Sequence, residues 1–262
     1  MKFEHKKSLG QNFITNTNLL AALAEDASIM PTENVLEIGP GLGTLTNEIS
    51  KRANKVLAIE ADNRLVDILE DKFKNTNVEF IFDDFMKVSF DDIKKKLGDN
   101  YIVVANLPYY ITTPILFRFF CEKNNAQKIA VMVQKEVAER ICANPGSKDY
   151  GILSVSCAHF GNPKILRNVA RQNFDPVPNV DSAFVLIPID NKKQNNEYLE
   201  FVRNCFAMRR KTLVNNLKGK YDSGDVAAVI ESCGKSSTAR AEEFTPKEIE
   251  HIFEKLSKCN KK

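Results

Sequence analysis

The chain has 262 residues, of which 43% are hydrophobic and 27% charged, and its formal net charge is +3. This composition is typical of a folded protein with one full domain and a smaller one, and it argues against disorder. No apolar stretch approaches the roughly 20 residues of a membrane-spanning helix, and the first residues lack the apolar core of a signal peptide. We therefore expect a cytoplasmic protein that does not enter a membrane.

The charge is distributed unevenly along the chain. Residues 1–190 have a net charge of −2, whereas residues 191–262 have a net charge of +5. This distribution predicts that a polyanion would bind to the carboxyl-terminal part, although a basic surface can also simply keep a protein soluble. The candidate phosphate contacts are Lys6, Lys7, Arg209, Arg210 and Lys211.

Six cysteines are spread along the chain without a Cys-x-x-Cys pair, and the three histidines do not cluster with them. This pattern favours reduced, structural thiols over a zinc site or a disulfide framework. We expect no metal site.

In chain order, a basic lead-in over residues 6–14 precedes a predicted helix at 18–27. Strands and helices then alternate. Strands are predicted over 34–38, 55–60, 78–82, 101–105 and 128–133, and helices over 42–53, 62–73, 90–97, 114–122 and 135–143. Repeated βα units of this length predict an α/β fold with a parallel, doubly wound sheet.

After residue 150 the pattern changes. A helical stretch reaches residue 160, and two β-rich runs over 164–169 and 183–189 predict an antiparallel hairpin at the edge of the sheet. A polar run then resembles a linker, and apolar residues at helical spacing follow it. We expect a first domain over residues 1–190 and a small all-α domain over residues 191–262.

The Asn-Leu-Pro-Tyr-Tyr segment at 106–110 directly follows an apolar run. Such a run predicts a buried parallel strand, so the segment lies past a carboxyl end, where open α/β sheets bind ligands. Asn106 offers an amide acceptor, Pro108 fixes φ, and Tyr109 offers a flat face for a planar ring. Asn and Pro are also common in turns, so this segment alone does not distinguish an aromatic-amine site from a turn.

A glycine-rich segment, Glu37-Ile38-Gly39-Pro40-Gly41-Leu42-Gly43, lies where a strand turns into a helix. Its glycines allow a ligand to approach the backbone closely, which predicts a cofactor site. The NAD fingerprint has its third glycine one residue later, where this chain has Thr44, and no Gly-Lys-Ser/Thr sequence follows. The pattern therefore argues against NAD and excludes a Walker loop.

Two carboxylates follow at the ends of the next predicted strands. Glu60 can accept both ribose hydroxyls of an adenosine, and Asp84 can accept from an adenine amino group. Either acid alone could be a helix N-cap or a solvated charge. Their occurrence at successive strand ends favours a nucleoside site.

These motifs together resemble an S-adenosylmethionine-dependent methyltransferase that acts on an amino group. Further motifs extend the resemblance to the ribosomal RNA adenine N6,N6-dimethyltransferases, specifically the bacterial type that modifies two adjacent adenines near the 3′ end of 16S RNA. The further motifs are Gln11-Asn12-Phe13, the residues 134–137, Tyr150-Gly151, the residues 174–182 and the residues 209–212.

The resemblance implies a Rossmann-like class I methyltransferase sheet, S-adenosyl-L-methionine as cofactor, and 16S RNA within a small ribosomal subunit or its precursor as partner of a monomeric enzyme. The implied cofactor residues are Asn12, Ile14, Gly39, Gly41, Glu60, Asp84 and Asn106. One departure is Tyr110, where family members usually carry Asn.

For the reaction, the resemblance places the adenine amino group at the Asn106 side-chain oxygen and the Leu107 carbonyl, with Pro108 holding the segment rigid. The nitrogen lone pair is then aimed at the methyl group and no basic side chain is needed. Tyr109 and Phe174 are expected to stack on the two faces of the base.

Three alternatives remain open at this point. A protein-glutamine methyltransferase can use a similar Asn-Pro-Pro-Tyr segment, and the related antibiotic-resistance enzymes modify one adenine of 23S RNA. The third alternative is a non-catalytic protein that has kept the fold. The basic residues near 209–211 favour RNA, and the residues 40–42 and 174–182 favour the 16S type.

Overall fold

The computed structural model describes residues 12–259. Contacts divide the chain into two compact units. The first contains the chain up to Ala138 together with Pro163–Lys192, and the second contains Glu139–Asn162 together with the chain from Lys193 onward. Each unit has its own apolar core.

A seven-stranded sheet forms the first unit, in the order β4-β3-β2-β5-β6-β9-β7. A separate antiparallel pair joins β1 to β8. The strands are β1 (Phe13–Ile14), β2 (Asn34–Ile38), β3 (Lys55–Glu60), β4 (Val78–Phe82), β5 (Tyr101–Asn106), β6 (Ala126–Gln134), β7 (Lys164–Val169), β8 (Phe174–Asp175) and β9 (Ser182–Pro188).

The five strands from β4 to β6 are parallel, β9 pairs antiparallel with β6, and β7 pairs antiparallel with β9. The central strands are buried almost throughout, because helices cover both faces of such a sheet and the sequence supplies near-continuous apolar runs. The predicted α/β fold with an antiparallel edge is confirmed. Within the hairpin, β9 lies between β6 and β7, and β7 forms the edge of the sheet.

The helices of the chain are α1 (Thr17–Asp26), α2 (Thr44–Ser50), α3 (Val66–Lys72), α4 (Phe90–Leu97), α5 (Thr112–Cys121), α6 (Lys135–Ile141), α7 (Ile152–Phe160), α8 (Asn196–Cys205), α9 (Leu213–Leu217), α10 (Ser223–Ser232) and α11 (Pro246–Cys259). Side-chain caps begin several of them. Asn16 accepts from Leu19 N, and Ser89 accepts from Asp92 N. Such caps satisfy backbone donors that the first turn leaves unpaired.

The second unit is helical, and its core includes residues on both sides of β7 to β9 in the sequence. Tyr150 and Val155 are buried with the carboxyl-terminal helices, and the Tyr150 hydroxyl donates to the Phe244 carbonyl at 2.8 Å. The segment 139–162, which the expected boundary at residue 190 assigns to the first domain, therefore groups with the helical unit. Among the residues of the described range, no helix has the length and apolarity needed to cross a membrane.

Candidate active site

The carboxyl ends of four neighbouring parallel strands meet at one cavity. β2, β3 and β5 lead directly to Gly39, Glu60 and Asn106, and the loop after β4 contributes Asp84. The cavity brings together most of the residues predicted from the sequence. These lining residues are Asn12, Gly39, Gly41, Glu60, Asp84, Asn106, Leu107, Pro108 and Tyr109.

The glycine loop leaves room along one wall of this cavity. Gly39 has a φ of +70°, and the nearest atom to a Cβ added there would be Pro108 Cδ at 3.9 Å. Gly41 has a φ of +56°, and a Cβ there would overlap the ring of Phe13. The loop therefore needs glycine at 41 both for its backbone conformation and for the approach of Phe13.

The Glu60 carboxylate accepts hydrogen bonds from the backbone of the glycine-rich segment and of the loop that follows β3. Its Oε2 accepts from Gly41 N at 2.9 Å and its Oε1 accepts from Asp62 N at 2.8 Å. Burial raises the pKa of this carboxyl, while the backbone donors oppose the shift. The backbone N–H of Ala61 is a third donor to this carboxylate, and the lone-pair capacity that remains is available to a ligand hydroxyl.

Asp84 lies in a tight turn after β4, where its Oδ1 accepts from Met86 N at 2.9 Å. Arg118 of α5 supports this turn from inside the protein, since its guanidinium donates to the carbonyls of Phe85 and Val88. The guanidinium also lies 4.8 Å from the Phe85 ring and 4.7 Å from the Phe90 ring. A buried cation thus fixes the loop that carries Asp84.

Asn106 is oriented by the amino-terminal segment. Its Nδ2 donates to the carbonyl of Asn12 at 2.9 Å, and no hydrogen bond within the described part of the chain uses its Oδ1. The Leu107 side chain is buried and its N–H donates to the Met132 carbonyl at 3.3 Å. Asn106 Oδ1 and the Leu107 carbonyl therefore remain as acceptors at the end of β5.

Tyr109 begins a short 3-10 turn, Tyr109–Ile111, and its hydroxyl shares a 2.7 Å hydrogen bond with Ser182 Oγ. Burial raises the pKa of Tyr109, and the contact with Ser182 opposes the shift only in part. The phenol therefore stays protonated at neutral pH. Tyr110 lines the same cavity and is 61% exposed.

Glu37 also belongs to the site. In the sequence it stood out only as the first residue of the glycine-rich segment, without a role of its own. It is 1% exposed, and its Oε2 has no hydrogen-bond partner in the described residues. Burial raises the pKa of Glu37 to about 8, and the nearby Glu60 carboxyl adds to the rise. With Gly39, Asn106 and Ile14 it lines a small cavity that is distinct from the main one.

Two predicted residues do not line the main cavity. Ile14 is 3% exposed and lines the small cavity beside Glu37. Phe174 is 2% exposed, because β8 pairs with β1 and turns its ring into the core of the first unit. Burial of a Phe side chain contributes roughly 1.5–3 kcal/mol, so this position stabilises the fold, and the ring offers no open face for stacking.

The predicted RNA contacts fall in three places. Lys6 and Lys7 lie outside the described residues. Arg209 pairs with Glu242 at 3.2 Å and also donates to the Lys148 carbonyl, all within the helical unit. Arg210 and Lys211 are exposed, and no acid of the described residues pairs with them.

The donor set of the main cavity fits an adenosine-containing cofactor. It combines a glycine wall, a buried carboxylate at the end of β3 and a second carboxylate in the following loop. Over residues 12–259 no group of three or more His, Cys, Asp or Glu side chains could hold a metal ion.

Comparison with solved structures supports the fold, and comparison with sequence relatives supports the family. Among solved structures, a dimethyladenosine transferase from Plasmodium falciparum superposes with a TM-score of 0.81 at 24% identity, covering 95% of this chain and 98% of that one. The 23S rRNA methyltransferase ErmE superposes with a TM-score of 0.75 at 27% identity, covering 94% of this chain and all of that one.

Sequence relatives are closer still. A curated relative from Clostridium botulinum strain Kyoto, named ribosomal RNA small subunit methyltransferase A, is 40% identical over 98% of this chain and 94% of its own length. One of the same name from Bacillus cytotoxicus is 43% identical over 82% of this chain and 77% of its own length. A family model described as ribosomal RNA adenine dimethylase matches residues 2–258.

The sheet order and the site at its carboxyl edge define a class I methyltransferase. The match over nearly the whole chain then identifies the family. The chain belongs to the ribosomal RNA adenine dimethylase family.

Proposed function

We propose that this protein transfers methyl groups from S-adenosylmethionine to N6 of two adjacent adenines in the 3′-terminal hairpin of 16S rRNA, during assembly of the small ribosomal subunit. The observation that carries the proposal is the convergence of Glu60, Asp84 and Asn106 on one cavity at the carboxyl edge of the sheet. Relatives about 40% identical are named small subunit methyltransferases, which supports the small-subunit target. The protein acts as a cytoplasmic monomer on the subunit or its precursor.

The cofactor site uses residues at three strand ends together with Asn12, which precedes β1. Glu60 accepts from the ribose hydroxyls, Asp84 accepts from the adenine amino group, and the wall at Gly39 and Gly41 receives the methionine part together with Asn12. When bound, S-adenosylmethionine supplies a methyl group on a sulfonium that is already strongly electrophilic. The protein therefore needs to position the acceptor nitrogen more than to activate it.

Asn106 and Leu107 orient that nitrogen. The lone pair of an adenine amino group is delocalised into the ring, so the group is a poor nucleophile. Acceptance of its two N–H groups by Asn106 Oδ1 and the Leu107 carbonyl draws the nitrogen toward tetrahedral geometry and aims the lone pair away from the ring plane. The bond from Asn106 Nδ2 to the Asn12 carbonyl keeps Oδ1 available for this contact.

Tyr109 supplies the stacking face for the base. Stacking of a base on an aromatic side chain contributes roughly 1–3 kcal/mol, which offsets part of the cost of removing the adenine from its helix. Phe174 is buried in the core, so we assign the stacking contact to Tyr109 alone. After the first transfer the nitrogen loses a proton to solvent, and the second methylation requires it to return with its one remaining N–H donating to one of the two acceptors.

The helical unit holds RNA by charge. Residues 191–262 have a net charge of +5, and the exposed Arg210 and Lys211 lie in the turn between α8 and α9. Clusters of this kind position phosphates without reading sequence. The pairing of Arg209 with Glu242 gives that residue a bracing role within the unit.

The test is to map methylated nucleotides in ribosomal RNA from cells with and without this protein. We expect dimethyladenine at two adjacent positions of 16S RNA only when the protein is present, and loss of both when Asn106→Ala replaces it. Dimethylation of a single 23S adenine would reassign the protein to the resistance type. Methylation of a protein glutamine, with unchanged RNA, would contradict an RNA substrate.

A further inference from the structure

The ring of Tyr109 is attached at both ends. Its backbone lies in the short turn that follows β5, and its hydroxyl reaches Ser182 Oγ at 2.7 Å on the first residue of β9. Ser182 is fully buried. A tyrosine side chain otherwise rotates among staggered wells about χ1, so the second attachment selects one of them.

Ser182 is itself held firmly. Its backbone pairs with Gln134 of β6 on one side and Val169 of β7 on the other. The preceding residue, Asp181, accepts from Lys135 N at 2.9 Å through its carbonyl and from Arg171 N at 3.0 Å through Oδ1. The hydroxyl that receives Tyr109 is therefore fixed to the sheet, and a sheet position is more rigid than a loop position.

Tyr109 is also shared by two cavities. Tyr109 lines the main cavity beside Asn106 and lines a second, more open cavity formed with Gln134 and the residues Pro178–Val180. Asn12 lines both cavities as well, so a Tyr109 ring that left its present rotamer would change a lining that the two cavities share. The loop of Pro178–Val180 ends at Ser182, so the same short segment builds the second cavity and anchors the ring.

We propose that Ser182 is a positioning residue for methyl transfer, which sets the plane of the Tyr109 ring so that an adenine stacked on it reaches the acceptors at the end of β5. The inference rests on the proposed function, because it specifies how the base is aligned. Ser182 is not among the residues that line the main cavity, and it acts through Tyr109. Misplacement of a reacting group by about 1 Å can cost on the order of 100-fold in rate.

The test is a double-mutant cycle of Ser182→Ala and Tyr109→Phe, with cofactor affinity, KM for RNA and kcat measured for each protein. Each single change removes the same hydrogen bond, so we expect each to lower kcat about tenfold with unchanged cofactor affinity. The double variant should match the single variants, because residues that act through one bond are not additive. Multiplied losses, or wild-type kcat for Ser182→Ala, would overturn the inference.

A second measurement does not depend on RNA. The chain has six tyrosines, and ring-labelled tyrosine NMR identifies Tyr109 by the signal that disappears in Tyr109→Phe. In Ser182→Ala we expect the chemical shifts of the Tyr109 ring alone to change, because the released ring exchanges among several rotamers and its signals average over them. The matched control is Ser156→Ala, another fully buried serine, whose Oγ has no partner in the described residues.

The two measurements separate the proposals. If the wild-type protein transfers no methyl group to RNA while the Tyr109 signals respond to Ser182→Ala, the proposed function fails and the anchor stands. If methyl transfer occurs but Tyr109 signals in Ser182→Ala match the wild type, or several tyrosines move together, the anchor fails and the proposed function stands.

Discussion

Asn106 Nδ2 donates to the main-chain carbonyl of Asn12 at 2.9 Å, across 94 residues of sequence. An amide has one acceptor and two donors, and this bond commits the nitrogen end to the protein. The oxygen end then remains as an acceptor, and Asn106 lines the cavity that Glu60 and Asp84 also line. In the proposed reaction, the bond therefore determines which end of the Asn106 side chain is available to the substrate.

We predict that Asn106→Ala keeps cofactor affinity within a few-fold but loses methyl transfer by on the order of 100-fold, comparable to the loss of one preorganised polar contact. Isothermal titration with cofactor and single-turnover methylation measure the two quantities. Asn47→Ala, an exposed change on α2, is the control. Near-normal turnover of Asn106→Ala would contradict the assigned role.

Cofactor choice gives a second prediction. S-adenosylmethionine should raise the melting temperature, because a ligand at 100 times its Kd stabilises the folded state by about 2.7 kcal/mol. NAD also contains an adenosine but needs a different glycine spacing, so it should give no shift. Glu60→Gln should reduce the shift with S-adenosylmethionine. A shift with NAD and none with S-adenosylmethionine would exclude the assignment.

The buried Glu37 predicts a pH dependence of stability. Its pKa rises from an ordinary value of 4.5 to about 8 in the folded protein. Between these values the folded state binds a proton that the unfolded chain has released, so the stability contributed by this group falls as pH rises and levels off above about pH 8.

Glu37→Gln removes that titration. Without cofactor, we expect the variant to gain melting temperature relative to the wild type as pH rises from 5 to about 8.5, because the neutral amide carries no charge to bury. Thermal unfolding across this range measures the effect, and Glu70→Gln on the exposed face of α3 is the control. A constant difference between wild type and Glu37→Gln at every pH would refute it.

Replacement of Arg210 and Lys211 by Gln should weaken RNA binding and lower its salt dependence. Each phosphate contact contributes about 0.7–0.9 to the slope of log affinity against log salt, so the loss of two contacts should lower the slope by about 1.5. Cofactor affinity should not change. Unchanged affinity and slope, even after Arg209→Gln is added, would place RNA binding elsewhere on the surface.

Matched exposed lysines test whether the effect is specific to that turn. Lys94 and Lys95 on α4 already pair with Asp99 and Asp92 at 2.6 and 2.7 Å. Their replacement by Gln removes the same amount of charge from the other unit of the chain. Equal losses of RNA affinity would show that net charge alone governs binding.

The strand ends were predictable from sequence because they depend on local pattern. Apolar runs over 34–38, 55–60 and 78–82 match β2, β3 and β4 residue for residue. Parallel strands present their carboxyl ends at one edge, so the meeting of Glu60, Asp84 and Asn106 follows from the strand boundaries. The class of fold and the location of the site could therefore be predicted without knowledge of any long-range contact.

Other features depend on contacts that no local pattern carries. From sequence, the ring of Phe174 beside the proline-rich loop could face either a ligand or the core. The pairing of Phe174 with Ile14 places the ring in the core. The grouping of Tyr150 with Phe244 depends on tertiary packing across 94 residues. Ser182 and Arg118 act through other residues, so no sequence motif marks them as part of the site.

The pairing of β1 with β8 makes the site a composite of distant parts of the chain. Asn12 and Phe13 line the cavity, and Phe13 covers Gly41, yet neither belongs to the seven-stranded sheet. A chain that began after residue 14 would retain every strand of that sheet and every carboxylate of the cavity. It would still lack one wall and the carbonyl that holds the Asn106 amide, so correct folding of the sheet would not by itself restore a competent site.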